Sequence, residues 1–145
     1  MLGYAARSAA RQARQGDDMI DERTTPLNGT RVLVIEDEYY LADDLSRALA
    51  RAGAEIVGPI GTLEEASRQV EADEFDCAVL DMNLRGEFVF QLAERLVDAR
   101  TPFIIATGYN RATLPDILVD VPRIEKPFAP HQVVEAIARI VDKSA

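Results

Sequence analysis

The sequence predicts an α/β domain built on a doubly wound, five-stranded parallel sheet. Short apolar runs without alternation, such as Val32–Ile35 and Cys77–Leu80, fit strands buried on both faces. Stretches with helical apolar spacing separate them, which is the βαβ pattern. The runs also end in polar or charged residues, as expected where parallel strands deliver side chains to one rim.

Each element follows from local chemistry. After the first strand, Leu41, Leu45, Ala48, Leu49 and Ala52 recur at helical spacing, and Gly53 suits the C-cap. Glu55–Val57 forms a short second strand, expected to end at Gly58-Pro59. Thr62-Leu63-Glu64-Glu65 has the form of a capping box, and Leu63, Ala66 and Val70 line one face of that helix. The third strand runs from Asp76 to Leu80, with Asp81 at its carboxyl end. Val89, Leu92, Ala93 and Leu96 mark the third helix, and Pro102–Ala106 the fourth strand, ending at Thr107-Gly108. From there to Val121 the apolar positions keep no period and Pro115 intervenes, so a fourth helix there is short or absent. Val121–Glu125 gives a fifth strand before Lys126-Pro127-Phe128, and Val133, Val134, Ile137, Ile140 and Val141 mark the last helix.

With 145 residues, the chain suits one domain and a short appendage. Residues 1–29 are expected to form a mobile or weakly structured extension, and residues 30–145 the domain. Arg7, Arg11 and Arg14 face no bulky apolar residues, which argues against a membrane-surface helix. Met19 is an alternative start. A net charge of -9 argues against nucleic acid, whose binders cluster Lys and Arg. No apolar run approaches a membrane span, and the first residues lack a secretory core, so a cytoplasmic location is expected. The single Cys77 excludes an internal disulfide and sits in an apolar run, where a buried inert thiol is expected. His131, the only histidine, is expected at the surface.

The chemistry gathers at the strand ends. Glu36, Asp37 and Glu38 follow the first strand, Asp81 ends the third, Thr107 the fourth, and Lys126 follows the fifth. Carboxylates brought this close raise one another's pKa unless a cation lies among them. Mg²⁺ suits one or two carboxylates plus a phosphoryl group. Lys126 supplies a point charge and Thr107 a hydroxyl donor for phosphoryl oxygens. A carboxylate can then act as nucleophile and carry the group as an aspartyl phosphate.

Four segments (VLVIEDE, CAVLDMNL, IIATG and EKPF), in that order, resemble the response-regulator receiver domains over about residues 30–142. The resemblance implies the flavodoxin-like receiver fold with strand order 2-1-3-4-5. It implies Asp81 as phosphoacceptor, with Thr107 and Lys126 contacting the phosphoryl group. Asp37, Asp81 and the main-chain carbonyl of Asn83 would hold Mg²⁺, and Glu36 would act through water. Three departures stand out. Arg85 replaces a frequent proline, suggesting a looser loop, and Arg123 replaces the aromatic that usually moves with the threonine. The segment 108–125 is short, and with Phe103, Ala106, Thr107, Gly108 and Tyr109 it resembles the FAT GUY subgroup. That subgroup has a degenerate fourth helix and is associated with histidine kinases of the HWE and related types.

The expected function is a non-enzymatic, single-domain response regulator of a phosphorelay. It would accept phosphate from a histidine kinase on Asp81 and signal through protein contacts. Residues 108–122 are expected to be mobile without phosphate and to order upon phosphorylation. One rival is a magnesium-dependent phosphatase with an aspartyl nucleophile, which wants an Asp-x-Asp that Glu36-Asp37-Glu38 does not supply. The other is a receiver-like scaffold that is never phosphorylated, against which the complete acid, threonine and lysine set weighs.

Overall fold

A computed structural model describes residues 25–84, 87–108 and 114–144. The elements are β1 (Arg31–Ile35), α1 (Tyr39–Arg51), β2 (Glu55–Ile60), α2 (Leu63–Ala72), β3 (Cys77–Asp81), β4 (Asn83–Leu84), β5 (Glu87–Phe88), α3 (Phe90–Asp98), β6 (Phe103–Thr107), β7 (Arg123–Glu125) and α4 (Pro130–Ser144). The main sheet is five-stranded and parallel, ordered β2-β1-β3-β6-β7, which is the expected 2-1-3-4-5 arrangement.

The period-two pleat sorts the central strands' side chains into two cores. Leu33, Ile35, Ala78, Leu80, Phe103 and Ile105 face α2 and α3. Val32, Val34, Cys77, Val79, Ile104 and Ala106 face α1 and α4. Burying each large aliphatic side chain contributes roughly 1.5–3 kcal/mol. This double burial explains why the central strands are apolar without alternation. It also makes the polar residues at their carboxyl ends conspicuous.

Packing begins earlier than residue 30. Leu27 is fully buried against the α1–α4 core, and its N–H donates to the Ala52 carbonyl at 2.8 Å. Residues 25–29, expected in the extension, thus pack with the domain; a segment this short has no periodicity to advertise one buried anchor. Residues 1–24, including Arg7, Arg11, Arg14 and Met19, lie outside the described residues.

Helix α1 buries Ala42, Leu45 and Leu49. Just past its end Gly53 takes φ +100°, and a Cβ there would lie 2.8 Å from the Asn28 backbone. Only glycine meets both conditions without strain. The Thr62 hydroxyl accepts from the Glu65 N–H at 3.3 Å, capping α2 as expected.

The strand expected to stop at Val57 continues through Gly58-Pro59 to Ile60. A register irregularity between Leu33 and Ile35 absorbs these residues. Because β2 is an edge strand, Pro59 needs no second ladder donor. The fifth strand begins at Arg123 rather than Val121. Pro122 accepts from the Ile105 N–H at 2.9 Å but has no N–H to donate.

After Asp81, β4 and β5 form a small antiparallel ribbon that sequence periodicity does not announce. Arg85 lies outside the described residues. Between β6 and β7, the described residues contain a single 3₁₀ turn, Asp116–Leu118, starting just after Pro115. Leu118 is fully buried in the α2–α3 core, which anchors residues 114–122. Tyr109 and residues 110–113, which fall in the segment 108–122 expected to order upon phosphorylation, lie outside the described residues.

Candidate functional site

The carboxyl ends of β1, β3 and β6 and the loop after β7 meet at one rim. Glu36 lies one residue beyond β1, Asp81 and Thr107 are the last residues of β3 and β6, and Lys126 directly follows β7. All four are drawn inward: Glu36, Asp81 and Thr107 are buried, and Lys126 is half-buried. In a parallel sheet every strand end points the same way, so in-register pairing suffices to gather them.

Lys126 sits among the acids. Its Nζ lies 2.9 Å from Glu36 Oε1 and 3.2 Å from Asp81 Oδ2. The other Asp81 oxygen, Oδ1, accepts from the Asn83 N–H at 3.0 Å. Glu36 Oε2 accepts from the Glu38 N–H at 3.1 Å. The Lys126 N–H donates to the Thr107 carbonyl at 2.9 Å, tying the lysine to the threonine's strand. Asp81 is thereby fixed through both oxygens at the floor of the site.

The electrostatics are strained without a further cation. Burial raises the Glu36 pKa to about 7, against the pull of the Lys126 contact and the Glu38 N–H, with Asp81 adding repulsion. Burial alone would lower Lys126, but Glu36 and Asp81 outweigh it and raise its pKa. Although Glu36 Oε1 is close enough to Lys126 for an ion pair, it receives no well-directed hydrogen bond.

The Glu36 carboxylate belongs to a donor set that fits a hard cation. One carboxylate oxygen each from Glu36, Asp37 and Asp81 lie within 4.8 Å of one another. All are oxygen donors, the preference of Mg²⁺ rather than of softer metals. Asn83 is beside them through its N–H on Asp81. The structure therefore brings together every residue expected at the site: Glu36, Asp37, Asp81, Asn83, Thr107 and Lys126. Glu38 stays outside as the exposed N-cap of α1, and His131 is exposed at the start of α4.

Two tyrosines also stand at this rim. Tyr39 and Tyr40, next to the acids, are about three-quarters exposed, with ring centroids 5.4 Å apart in an edge-to-face pair. A signal was present, since the inward positions 42, 45 and 49 leave Tyr40 on the opposite side of the helix.

Comparison with known proteins agrees with this geometry. The family model described as the response regulator receiver domain matches residues 32–138. The solution structure of SdrG from Sphingomonas melonis Fr1 is 34% identical, with a TM-score of 0.67, covering 77% of this chain and 96% of that one. The response regulator PhyR from Brucella abortus is 28% identical with a TM-score of 0.67, over 79% of this chain and 48% of that one. The sensory transduction protein LytT of Bacillus subtilis (strain 168) is 29% identical over 113 residues, 75% of this chain and 47% of LytT. The chain thus spans about half the length of the curated relatives it matches most fully. With its acids, threonine and lysine assembled at the strand ends and most of its length matched, the chain belongs to the response regulator receiver domain family.

Proposed function

We propose that Asp81 accepts a phosphoryl group from the phosphohistidine of a histidine kinase, and that the phosphorylated domain signals through protein contacts. The observation that carries this reading is the double anchoring of Asp81 at the floor of the site. One oxygen is held by Asn83 N–H and the other by Lys126 Nζ, so the carboxylate is aligned before any donor arrives.

An Asp81 oxygen forms the new O–P bond while the histidine N–P bond breaks, and the imidazole leaves with the bonding electron pair. Mg²⁺, held by Asp37, Asp81 and the Asn83 carbonyl with Glu36 through water, would neutralise the phosphoryl oxygens. Lys126 lies within ion-pair distance of Asp81 and would follow the charge onto the phosphoryl group. Thr107, at the end of the neighbouring strand, would offer its hydroxyl to a phosphoryl oxygen. The domain acts as an acceptor rather than as an enzyme on an external substrate.

Only a 3₁₀ turn stands between β6 and β7 among the described residues, which supports the FAT GUY subgroup and donors of the HWE or related types. Among the described residues no helix is long and apolar enough to cross a membrane, and this supports a cytoplasmic site of action.

Incubation with radiolabelled acetyl phosphate and Mg²⁺, or with a phosphorylated histidine kinase, should label the protein in an acid-stable, base-labile form. Asp81→Asn should abolish that label. Full-stoichiometry labelling of the variant would overturn the assignment.

A further inference from the structure

Asp81 is only 4% exposed, so a donor histidine must be pressed onto the strand-end rim. Only then does its phosphoryl group come within the roughly 3–3.5 Å that transfer requires. Apolar surface for such a contact is scarce: among the described residues, four large apolar side chains are exposed. Ile117 and Val119 belong to the turn between β6 and β7, whereas Tyr39 and Tyr40 begin α1, directly after Glu36-Asp37-Glu38. The Cα atoms of both tyrosines thus lie within roughly 11 Å of that of Asp37. Their rings meet edge-to-face with centroids 5.4 Å apart, so each steadies the other. Exposed aromatics held in this way serve as anchors in protein interfaces.

The outer face of α1 continues from this pair. At about 3.6 residues per turn, Tyr40, Asp44, Arg47 and Arg51 fall on one stripe, opposite the buried Ala42, Leu45 and Leu49. All four stripe residues are exposed. Asp43 is taken by Arg47 at 3.0 Å, and Asp44 keeps its charge on the stripe. The stripe is therefore polarised. Beside the site it is aromatic and acidic, and at its far end, roughly 16 Å along the helix, it is basic. The complement is a helix with the opposite order, a cation near the site and an acid farther from it.

Resting on the acceptor role of Asp81, we propose that Tyr40, steadied by Tyr39, and Asp44 form the docking anchor for the phosphate donor. The donor is a helix that bears the phosphohistidine, an arginine or lysine within one turn of it, and an acid about two turns beyond, facing Arg51. The donor's cation rests on the Tyr40 ring and pairs with Asp44. The stripe selects the donor, while Asp81, Lys126 and the metal carry out the transfer.

Donors of two sizes test this. Acetyl phosphate has no helix to dock, so with Mg²⁺ it should label Tyr40→Ala and Asp44→Lys within about twofold of the parent rate. The second donor is the autophosphorylated histidine kinase that labels the parent protein most rapidly. Its transfer at sub-saturating concentration should slow by about tenfold or more in either variant, the order expected for one lost anchor. Tyr40→Phe should recover most of the rate, because the ring and not the hydroxyl is the anchor. Added NaCl should slow kinase transfer to the parent and affect Asp44→Lys less. Equal slowing with both donors would mean damage to the site itself, and parent-like transfer from the kinase would mean docking elsewhere; either result overturns the proposal. Failure of every kinase to label the parent would overturn the histidine donor, and the anchor with it.

Discussion

Lys126 Nζ stands 2.9 Å from Glu36 Oε1, a carboxylate almost wholly removed from water. The pair is incomplete: one lysine serves both Glu36 and Asp81, and Glu36 still favours its protonated form up to about pH 7.

A pH dependence follows from that relationship. The folded pKa of Glu36 is raised from 4.5 to about 7, so its contribution to stability is fully present below pH 4.5 and is lost as pH rises through about 7. Metal-free protein should therefore lose melting temperature across this window, and Glu36→Gln should remove that component. Mg²⁺ binding requires the carboxylate, so its stabilisation should grow over the same range. Melting curves with EDTA or with Mg²⁺, at half-unit pH steps, check both signs.

Removing Asp37 should separate metal binding from folding. Asp37 is half-exposed, lies beyond β1, and contributes to the carboxylate cluster rather than to either core. Asp37→Ala should abolish Mg²⁺ binding in an NMR or fluorescence titration while changing the melting temperature little. Unchanged affinity would remove Asp37 from the site.

Replacing Lys126 tests alignment of the acceptor. Lys126→Met keeps the stem and deletes the charge that reaches Asp81. Phosphorylation by acetyl phosphate should slow by roughly a hundred-fold, the order expected for losing one aligned charged donor. A rate within a few-fold of the parent would place the alignment with the metal and the Asn83 N–H.

Two substitutions probe the junction before β1. Leu27→Ala should destabilise the fold by about 2–5 kcal/mol in urea unfolding, because it empties a fully buried site. Gly53→Ala should cost about 1–3 kcal/mol, from its positive φ and its collision with Asn28. Deleting residues 1–18, in contrast, should leave both melting temperature and phosphorylation nearly unchanged.

The segment between β6 and β7 gives the last prediction. Leu118 already anchors the second half of 108–122, so Mg²⁺ with beryllofluoride should raise amide-exchange protection most at the Thr107 end. Equal protection with and without the mimic would exclude an order–disorder switch.

The sheet and its working edge are legible in the amino-acid pattern alone. Strands buried on both faces must be apolar throughout, so Glu36, Asp81 and Thr107 stand out as the first polar residues after such runs. Local rules also set the Thr62 cap, the Gly53 helix end and, among the described residues, the bare 3₁₀ turn that follows Pro115. Tertiary structure alone decided the rest. Leu27 is a single apolar residue without a period, and only the cleft between α1 and α4 makes it core. Strand β2 passes Gly58-Pro59 because pairing with β1 tolerates an irregularity there. Lys126 meets Asp81, 45 residues away, because parallel pairing of β3, β6 and β7 brings their ends together. Periodicity records which face a residue buries, whereas pairing between distant segments depends on free energies that no short window of sequence contains.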